Sequence, residues 1–202
     1  MLFRSRPDII GVNHCLTSDR YLDHETEGYP DGHIGGNGRQ IYADVAAARA
    51  PVDPAELGFG ARIVETWRRY ELPIAITEVH NGSTREEQIR WLVQAADAAK
   101  KTREAGVDLR ALTVWALAGG VDWDSLLTQR RNSYEPGVFD VRADPPRETA
   151  LANVVRALAR AERRSHPVAR DHGWWGRPDR FHKPVDAGRP GPAPTGRPLL
   201  VT

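Results

Sequence analysis

The sequence has a single cysteine, Cys15, among its 202 residues. One thiol excludes an intrachain disulfide framework and fits a reducing compartment. Long apolar runs are also lacking; none approaches the roughly 18 residues of a membrane span. Nor is there an excess of either charge. The 28 Lys and Arg residues nearly match the 27 Asp and Glu residues, leaving a formal net charge of +1. That balance gives no reason to expect a nucleic-acid partner or an anionic membrane. The opening residues, Met1-Leu2-Phe3-Arg4-Ser5-Arg6-Pro7, are too few and too polar for a secretory leader, so the expected compartment is cytoplasmic. No internal repeat is visible.

The length suits one ordinary domain plus a tail, and strand and helix signals alternate along it. Ile9-Ile10-Gly11-Val12-Asn13 reads as a strand. A long irregular stretch rich in Asp, Gly, His and Tyr follows, from about Thr17 to Val52. Asp53-Pro54-Ala55-Glu56 then looks like a helix start, with Asp53 as cap, Pro54 in the first turn and Glu56 three residues after the cap. This helix carries Leu57, Ala61, Val64 and Trp67 near one face and ends around Leu72. A strand over Pro73–Glu78 comes next. Ser83 or Thr84 caps a second helix, with Glu86 and Glu87 in its first turn, where the helix dipole favours acids. Ile89, Leu92, Val93, Ala96 and Ala99 follow at helical spacing, and Gly106 is a C-terminal stop. Ala111–Leu117 reads as a third strand and Arg147–Arg164 as a third helix. Three strand–helix units argue for an α/β fold with a parallel sheet. Residues 1–165 form this unit. Residues 166–202 form an irregular tail, with a Pro/Gly-rich linker over 186–198.

The run from Pro73 to Thr77 is short, apolar and β-branched, and reads as a buried parallel strand. It ends in Glu78, followed by an Asn81-Gly82 turn and a new helix. Barrel enzymes present catalytic groups in this way, at the C-terminal ends of their strands. On residue type alone, Glu78 would equally suit a helix cap or an arginine partner. A glycosidase usually needs two facing carboxylates, and no second one is evident. The Thr17–Val52 segment exceeds the roughly 15 structureless residues a compact domain tolerates; after a parallel strand it would lie on the active-site face. His14 and His80 lack metal-ligand spacing and read as ordinary polar residues, so no metal and no cofactor is expected. Ser133-Tyr134-Glu135-Pro136 reads as a loop. Trp174-Trp175 reads as a pin holding the tail on the body.

Several segments together resemble one family. Asp8-Ile9-Ile10-Gly11-Val12-Asn13-His14 resembles the sixth strand of the family 1 glycoside hydrolases, which runs close to D-x-x-G-x-N-Y. Ile76-Thr77-Glu78 resembles the I/V-T-E of their seventh strand, although Val79-His80 intervene before Asn81-Gly82. Val114-Trp115-Ala116-Leu117 with Asp122-Trp123 resembles the eighth strand and its loop. Gly137-Val138-Phe139-Asp140-Val141 and Pro146-Arg147-Glu148-Thr149-Ala150 resemble the closing segment before the last helix. The resemblance covers residues 7–160. It implies the C-terminal part of a β-glucosidase-like hydrolase, with strands six to eight of a TIM (β/α)8 barrel and their helices. The tail resembles the junction of fusion proteins in which such a barrel precedes a sugar-nucleotide reductase of the dTDP-4-dehydrorhamnose reductase type. Arg197–Thr202 would be a truncated first Rossmann strand, without its phosphate loop.

The resemblance implies Glu78 as the nucleophile of a retaining mechanism. Asn13 and His14 would lie near it, Trp115 would floor the site, Asp122 would accept sugar hydroxyls and Trp123 would stack on a sugar ring. Departures are His14 for the usual tyrosine, Asp122 for a glutamate one methylene longer, and the absence of the T-x-N-E-P acid/base motif. Two functions follow. One is the nucleophile half of a β-glycosidase, inactive without the missing half. The other is a non-catalytic carbohydrate-binding or scaffold module linked to sugar-nucleotide metabolism. An open sheet of three strands leaves unpaired edges, so the missing barrel half or self-association is the expected partner, with a carbohydrate or glycoside as substrate.

Overall fold

The computed structural model describes residues 6–162 and 166–183. Strand β1 spans Ile10–Asn13, β2 Arg20–Asp23, β3 Ile34–Gly36 and β4 Ile41–Ala46. Helix α1 spans Gly58–Tyr70, β5 Ile74–Val79, α2 Arg85–Glu104 and β6 Leu109–Val114. Short strands β7 (Gly120–Val121), β8 (Tyr134–Glu135), β9 (Phe139–Asp140) and β10 (Arg147–Glu148) precede α3, Ala150–Ala159. The fold is mixed α/β. Its central sheet has the order β1-β5-β6, with all neighbours parallel. No closed barrel forms among the described residues, and the sheet ends at β1 on one side and β6 on the other.

The sheet forms because its apolar residues have a helical layer to bury against. Ile74 and Ile76 of β5 are fully buried together with Ile63 of α1 and Ile89 and Leu92 of α2. Each such side chain contributes about 1.5–3 kcal/mol. The opposite face allows close approach of β1 and β5. A Cβ on Gly11 would lie 2.7 Å from the Thr77 methyl, so Gly11 makes room for Thr77 across the strand pair. Thr84 caps α2, its Oγ1 accepting the Glu87 N–H at 3.4 Å.

Four local expectations are corrected. The Thr17–Val52 stretch is not irregular. It holds an antiparallel sheet of order β2-β4-β3 around a small core of Tyr29, Ala43, Val45 and Ala50. The alternation of Tyr42-Ala43-Asp44-Val45 is a strand signal that the surrounding Gly and Asp residues obscure. Asp53 caps only a 3-10 turn, Pro54–Glu56, with Oδ1 accepting the Ala55 N–H at 2.9 Å. The chain then breaks at Gly58, where φ is +75°, and α1 begins with its Gly58 N–H donated to the distant Asp19 Oδ2 at 2.7 Å. In consequence α1 buries Phe59 and Ile63. Leu57, Ala61 and Val64 instead line a groove between α1, α2 and the tail. Helix α3 starts later than expected because Arg147–Glu148 pairs with β9 as β10. It ends at Ala159, and residues 163–165 lie outside the described residues.

Residues 166–183 lie on this framework. The Trp175 ring meets Trp91 edge-on at 5.4 Å, and its Nε1–H donates to Gln94 Oε1 at 2.6 Å. The Arg49 guanidinium stacks 4.2 Å over Trp174. The Pro/Gly linker at 186–198 and the Rossmann-like strand at 197–202 lie outside the described residues. Among the described residues no helix is long and apolar enough to cross a membrane.

Ile76→Ala should lower unfolding stability by about 2–5 kcal/mol, because it empties a filled site. Ile34→Ala, at a residue 37% exposed on β3, should stay within about 0.5 kcal/mol. Urea unfolding of both variants measures the difference.

Candidate functional site

Strict strand alternation would send Ile76 and Glu78 to the same face. The structure does otherwise. On the β6 side the register runs from Ile76 opposite Leu112 to Val79 opposite Val114, so one residue more is used on β5 than on β6. On the β1 side it slips from Val12 opposite Ile76 to Asn13 opposite Glu78. Ile76 and Val79 therefore both reach the helix-facing core, at 0% and 3% exposure. A bulge of this kind re-aims a side chain at a functional rim. Here it turns Thr77 and Glu78 away from the helices. Glu78 is half-buried beside the exposed Asn13, and its carboxylate makes no hydrogen bond or ion pair with another described residue.

The tryptophans gather at the neighbouring strand end. The Trp115 N–H donates to the Val79 carbonyl at 3.2 Å, which anchors the chain leaving β6 next to the end of β5. The Trp115–Ala116 peptide bond is cis. The Trp115 and Trp123 rings lie 5.8 Å apart, tilted by 37°, and Trp123 is 41% exposed. With Leu127, Glu135 and Gly137 they line a small cavity of about 180 Å³. Asp122 is buried, and its Oδ1 accepts the Ser133 N–H at 2.8 Å. One of its carboxylate oxygens is thus occupied in closing the 122–133 loop.

His14 is not brought to this group. It is buried on the other side of the sheet, its ring 5.2 Å from Phe59 of α1 and 6.3 Å from Trp91 of α2. Its Nε2 stands 3.4 Å from Asp19 Oδ2. Burial lowers the His14 pKa and Arg62 adds to this, against the pull of Asp19. His14 follows the alternation of Val12, which also packs in the helix-facing core.

The structure also gathers residues that the sequence reading left out of the site. His80 Nε2 lies 2.5 Å from Glu135 Oε1, and the two side chains are 20% and 21% exposed. The His80 pKa is raised to about 9 by the neighbouring Cys15 and Glu135 side chains, against the lowering effect of burial. Glu135 sits not in a loop but on β8, paired with β7. The Gln88 amide of α2 steadies it by donating to the Pro136 carbonyl at 3.1 Å. The visible signal was Val79-His80, the two residues that separate Glu78 from the Asn-Gly turn. Among the described residues no group of three or more His, Cys, Asp and Glu side chains is arranged to hold a metal ion.

No family model and no curated protein matches the chain. Solved structures of β-glycosidases resemble part of it. The β-glycosidase of Thermosphaera aggregans aligns at 17% identity and a TM-score of 0.45, over 55% of this chain and 23% of its own. β-Glycosidase BGL167 aligns at 19% identity and a TM-score of 0.41, over 54% of this chain and 26% of its own. A β-glucosidase from Exiguobacterium marinum aligns at 16% identity and a TM-score of 0.42, over 65% of this chain and 33% of its own. The aligned part spans between about a quarter and a third of those proteins' lengths.

The His80–Glu135 pair has a pH signature. The folded-state pKa of about 9 lies above the ordinary histidine value of 6.5, so the protonated imidazole favours the folded chain. Its stabilising effect should be complete below about pH 6.5 and lost as pH rises through about 9. Urea midpoints measured from pH 6 to 10 should fall over that window in the native chain, and fall less in His80→Gln.

Proposed function

We propose that the chain carries the nucleophile side of a retaining β-glycosidase site, with Glu78 as the attacking carboxylate. The observation that carries this reading is the bulge in β5, which leaves Glu78 half-buried, without a partner among the described residues, and beside Asn13 on the face turned from the helices. A carboxylate with no internal partner keeps its lone pairs for a ligand. In a retaining reaction it attacks the anomeric carbon, a protonated acid frees the leaving group, and water then releases the sugar from the enzyme. The segment resemblance around Asn13, Glu78, Trp115, Asp122 and Trp123 supports the same reading.

The flanking residues take roles their geometry allows. The exposed face of Trp123, backed by Trp115, offers an apolar surface to a sugar ring. Asn13 can donate or accept toward a sugar hydroxyl beside Glu78. Asp122 keeps the 122–133 loop closed through Ser133 and reaches a hydroxyl only through its second carboxylate oxygen. His14 holds the end of β1 against α1 and α2 and supports the site from behind. In this reading the general acid comes from the missing barrel half or from a second copy of the chain, which also covers the free edges of β1 and β6. The parent protein would join this barrel to a sugar-nucleotide reductase through the tail. The alternative is a module that binds carbohydrate without turnover.

A 2-deoxy-2-fluoro glycoside with a dinitrophenyl leaving group tests the reading, because that group departs without protonation and leaves a long-lived glycosyl ester. The expected result is a mass adduct on the peptide holding Glu78, absent in Glu78→Gln. A folded sample that gives no adduct across several sugar configurations contradicts it; sugar binding without an adduct favours the non-catalytic module. Sedimentation at micromolar concentration should show species larger than one chain. A cooperatively folded monomer would count against the partner role.

A further inference from the structure

The glycoside reading leaves unused a large groove on the helix side of the sheet, away from Glu78. Its volume is about 1360 Å³, and its walls are α1, α2 and the tail. Helical spacing builds the first two walls. Leu57, at the start of α1, is followed by Ala61, Val64 and Arg68, and α2 contributes Ala98, Lys101 and Ala105. Residues three and four apart share one helix face. The two helices come close because small residues lie between them; a Cβ on Gly60 would touch the Ala98 Cβ at 3.9 Å. Trp175, whose Nε1–H donates to Gln94 Oε1 of α2, holds the third wall in place. Charge on the groove is one-sided. Arg68 and Arg69 of α1, Lys101 of α2 and Arg170 of the tail line it with no acidic partner among the described residues. Of its acids, Asp19 and Glu65 face Arg62, and Asp97 is engaged as well, which leaves Asp171. Every wall therefore brings an uncompensated cation to an apolar trough.

We propose that this groove docks an acidic amphipathic helix of a partner protein. The apolar face of that helix lies on Leu57, Ala61 and Val64, and its carboxylates meet Arg68, Arg69, Lys101 and Arg170. Laying an amphipathic helix into an apolar groove is a recurring mode of recognition, read through anchors at i, i+4 and i+7. Size selects a helix over a small molecule. From Leu57 to Arg69 the α1 wall runs about 18 Å. A helix of about twelve residues has that length and is about 10 Å across with its side chains, a volume of roughly 1,400 Å³. Small-molecule sites are usually about 300–1,000 Å³. Charge selects a partner over the rest of this chain. Residues 184–202 carry Arg189 and Arg197 against Asp186, together with five prolines. Like charge repels such a segment from a basic groove, and proline breaks helices. An acidic helix meets both requirements, and its carboxylates supply the charge that the rim lacks.

The test is fluorescence anisotropy on the full chain. The probe is a labelled peptide of about fourteen residues, with leucines at i, i+4, i+7 and i+11 and glutamates on the flanks. Saturable binding is expected, about tenfold weaker in the doubly reversed Arg68→Glu/Arg69→Glu chain. Val64→Glu, which puts a charge in the apolar wall, should weaken it as much, while far-UV circular dichroism stays native in both variants. Methyl resonances of Leu57, Ala61 and Val64 should shift when the peptide is added. A scrambled peptide of the same composition, and one with lysine for every glutamate, should not bind. If Val64→Glu does not fold, the arginine variant still decides. Equal binding of either control peptide, unchanged affinity in the folded arginine variant, or no saturable binding overturns the proposal. Two further outcomes also overturn it by assigning the groove elsewhere. Displacement of the peptide by dodecanoate at similar affinity would make it a site for small amphipathic anions. Self-association of the chain that Val64→Glu abolishes would make it an interface between copies. No glycoside enters these measurements, so their outcome is independent of the labelling of Glu78.

Discussion

Everything at the strand ends depends on Ile76 and Val79 packing into one apolar layer although they are three residues apart. A regular strand cannot put both there, because its side chains alternate. The helical layer built by Ile63, Ile89 and Leu92 rewards their burial, and the β5 backbone accommodates it with an extra residue. Each of these apolar side chains is worth about 1.5–3 kcal/mol, enough to outweigh an irregular ladder. The cost falls on Thr77 and Glu78, which are turned out toward the free face. The placement of the carboxylate is thus a by-product of core packing, and its rigidity is that of the core.

The same layer explains why two neighbouring histidines behave in opposite ways. His14 lies inside the layer against Phe59 and Trp91 and is pushed toward the neutral form by burial. Its companion Asp19 caps α1 through Gly58 and faces Arg62, so this polar group ties β1 to the first helix. His80 lies at the rim, hydrogen-bonded to Glu135, and its affinity for a proton is raised. The strand ends therefore present the half-buried Glu78 carboxylate and the paired His80 and Glu135, beside an aromatic wall. The sheet that carries them has no partner strand on either side among the described residues, which leaves one face for a second body.

Much of this was legible in the sequence. The three parallel strands and three helices follow from apolar periodicity, and Thr84 and Glu87 marked the start of α2. Glu78 stood out because a β-branched apolar run ended in an acid. Most of the misses share one physical origin: tertiary contacts override local signals. Asp53 looked like the cap of α1, but Asp19 fills that role from 39 residues away. Arg147–Glu148 had helical neighbours but found β9 to pair with. Glu135 looked like loop because a two-residue strand has no periodicity, and its partner His80 is 55 residues distant. His14 shared a motif with Asn13, yet adjacent residues of a strand face opposite sides.

The most direct measurement is a set of nuclear Overhauser contacts from the side chains at the end of β5. The predicted result is that the Ile76 and Val79 methyls both show contacts to the Ile89 and Leu92 layer of α2, while the Glu78 side chain shows none there and contacts Asn13. Contacts from Glu78 into that layer, with Val79 turned away from it, would mean a regular strand, a buried carboxylate and no site of the kind described.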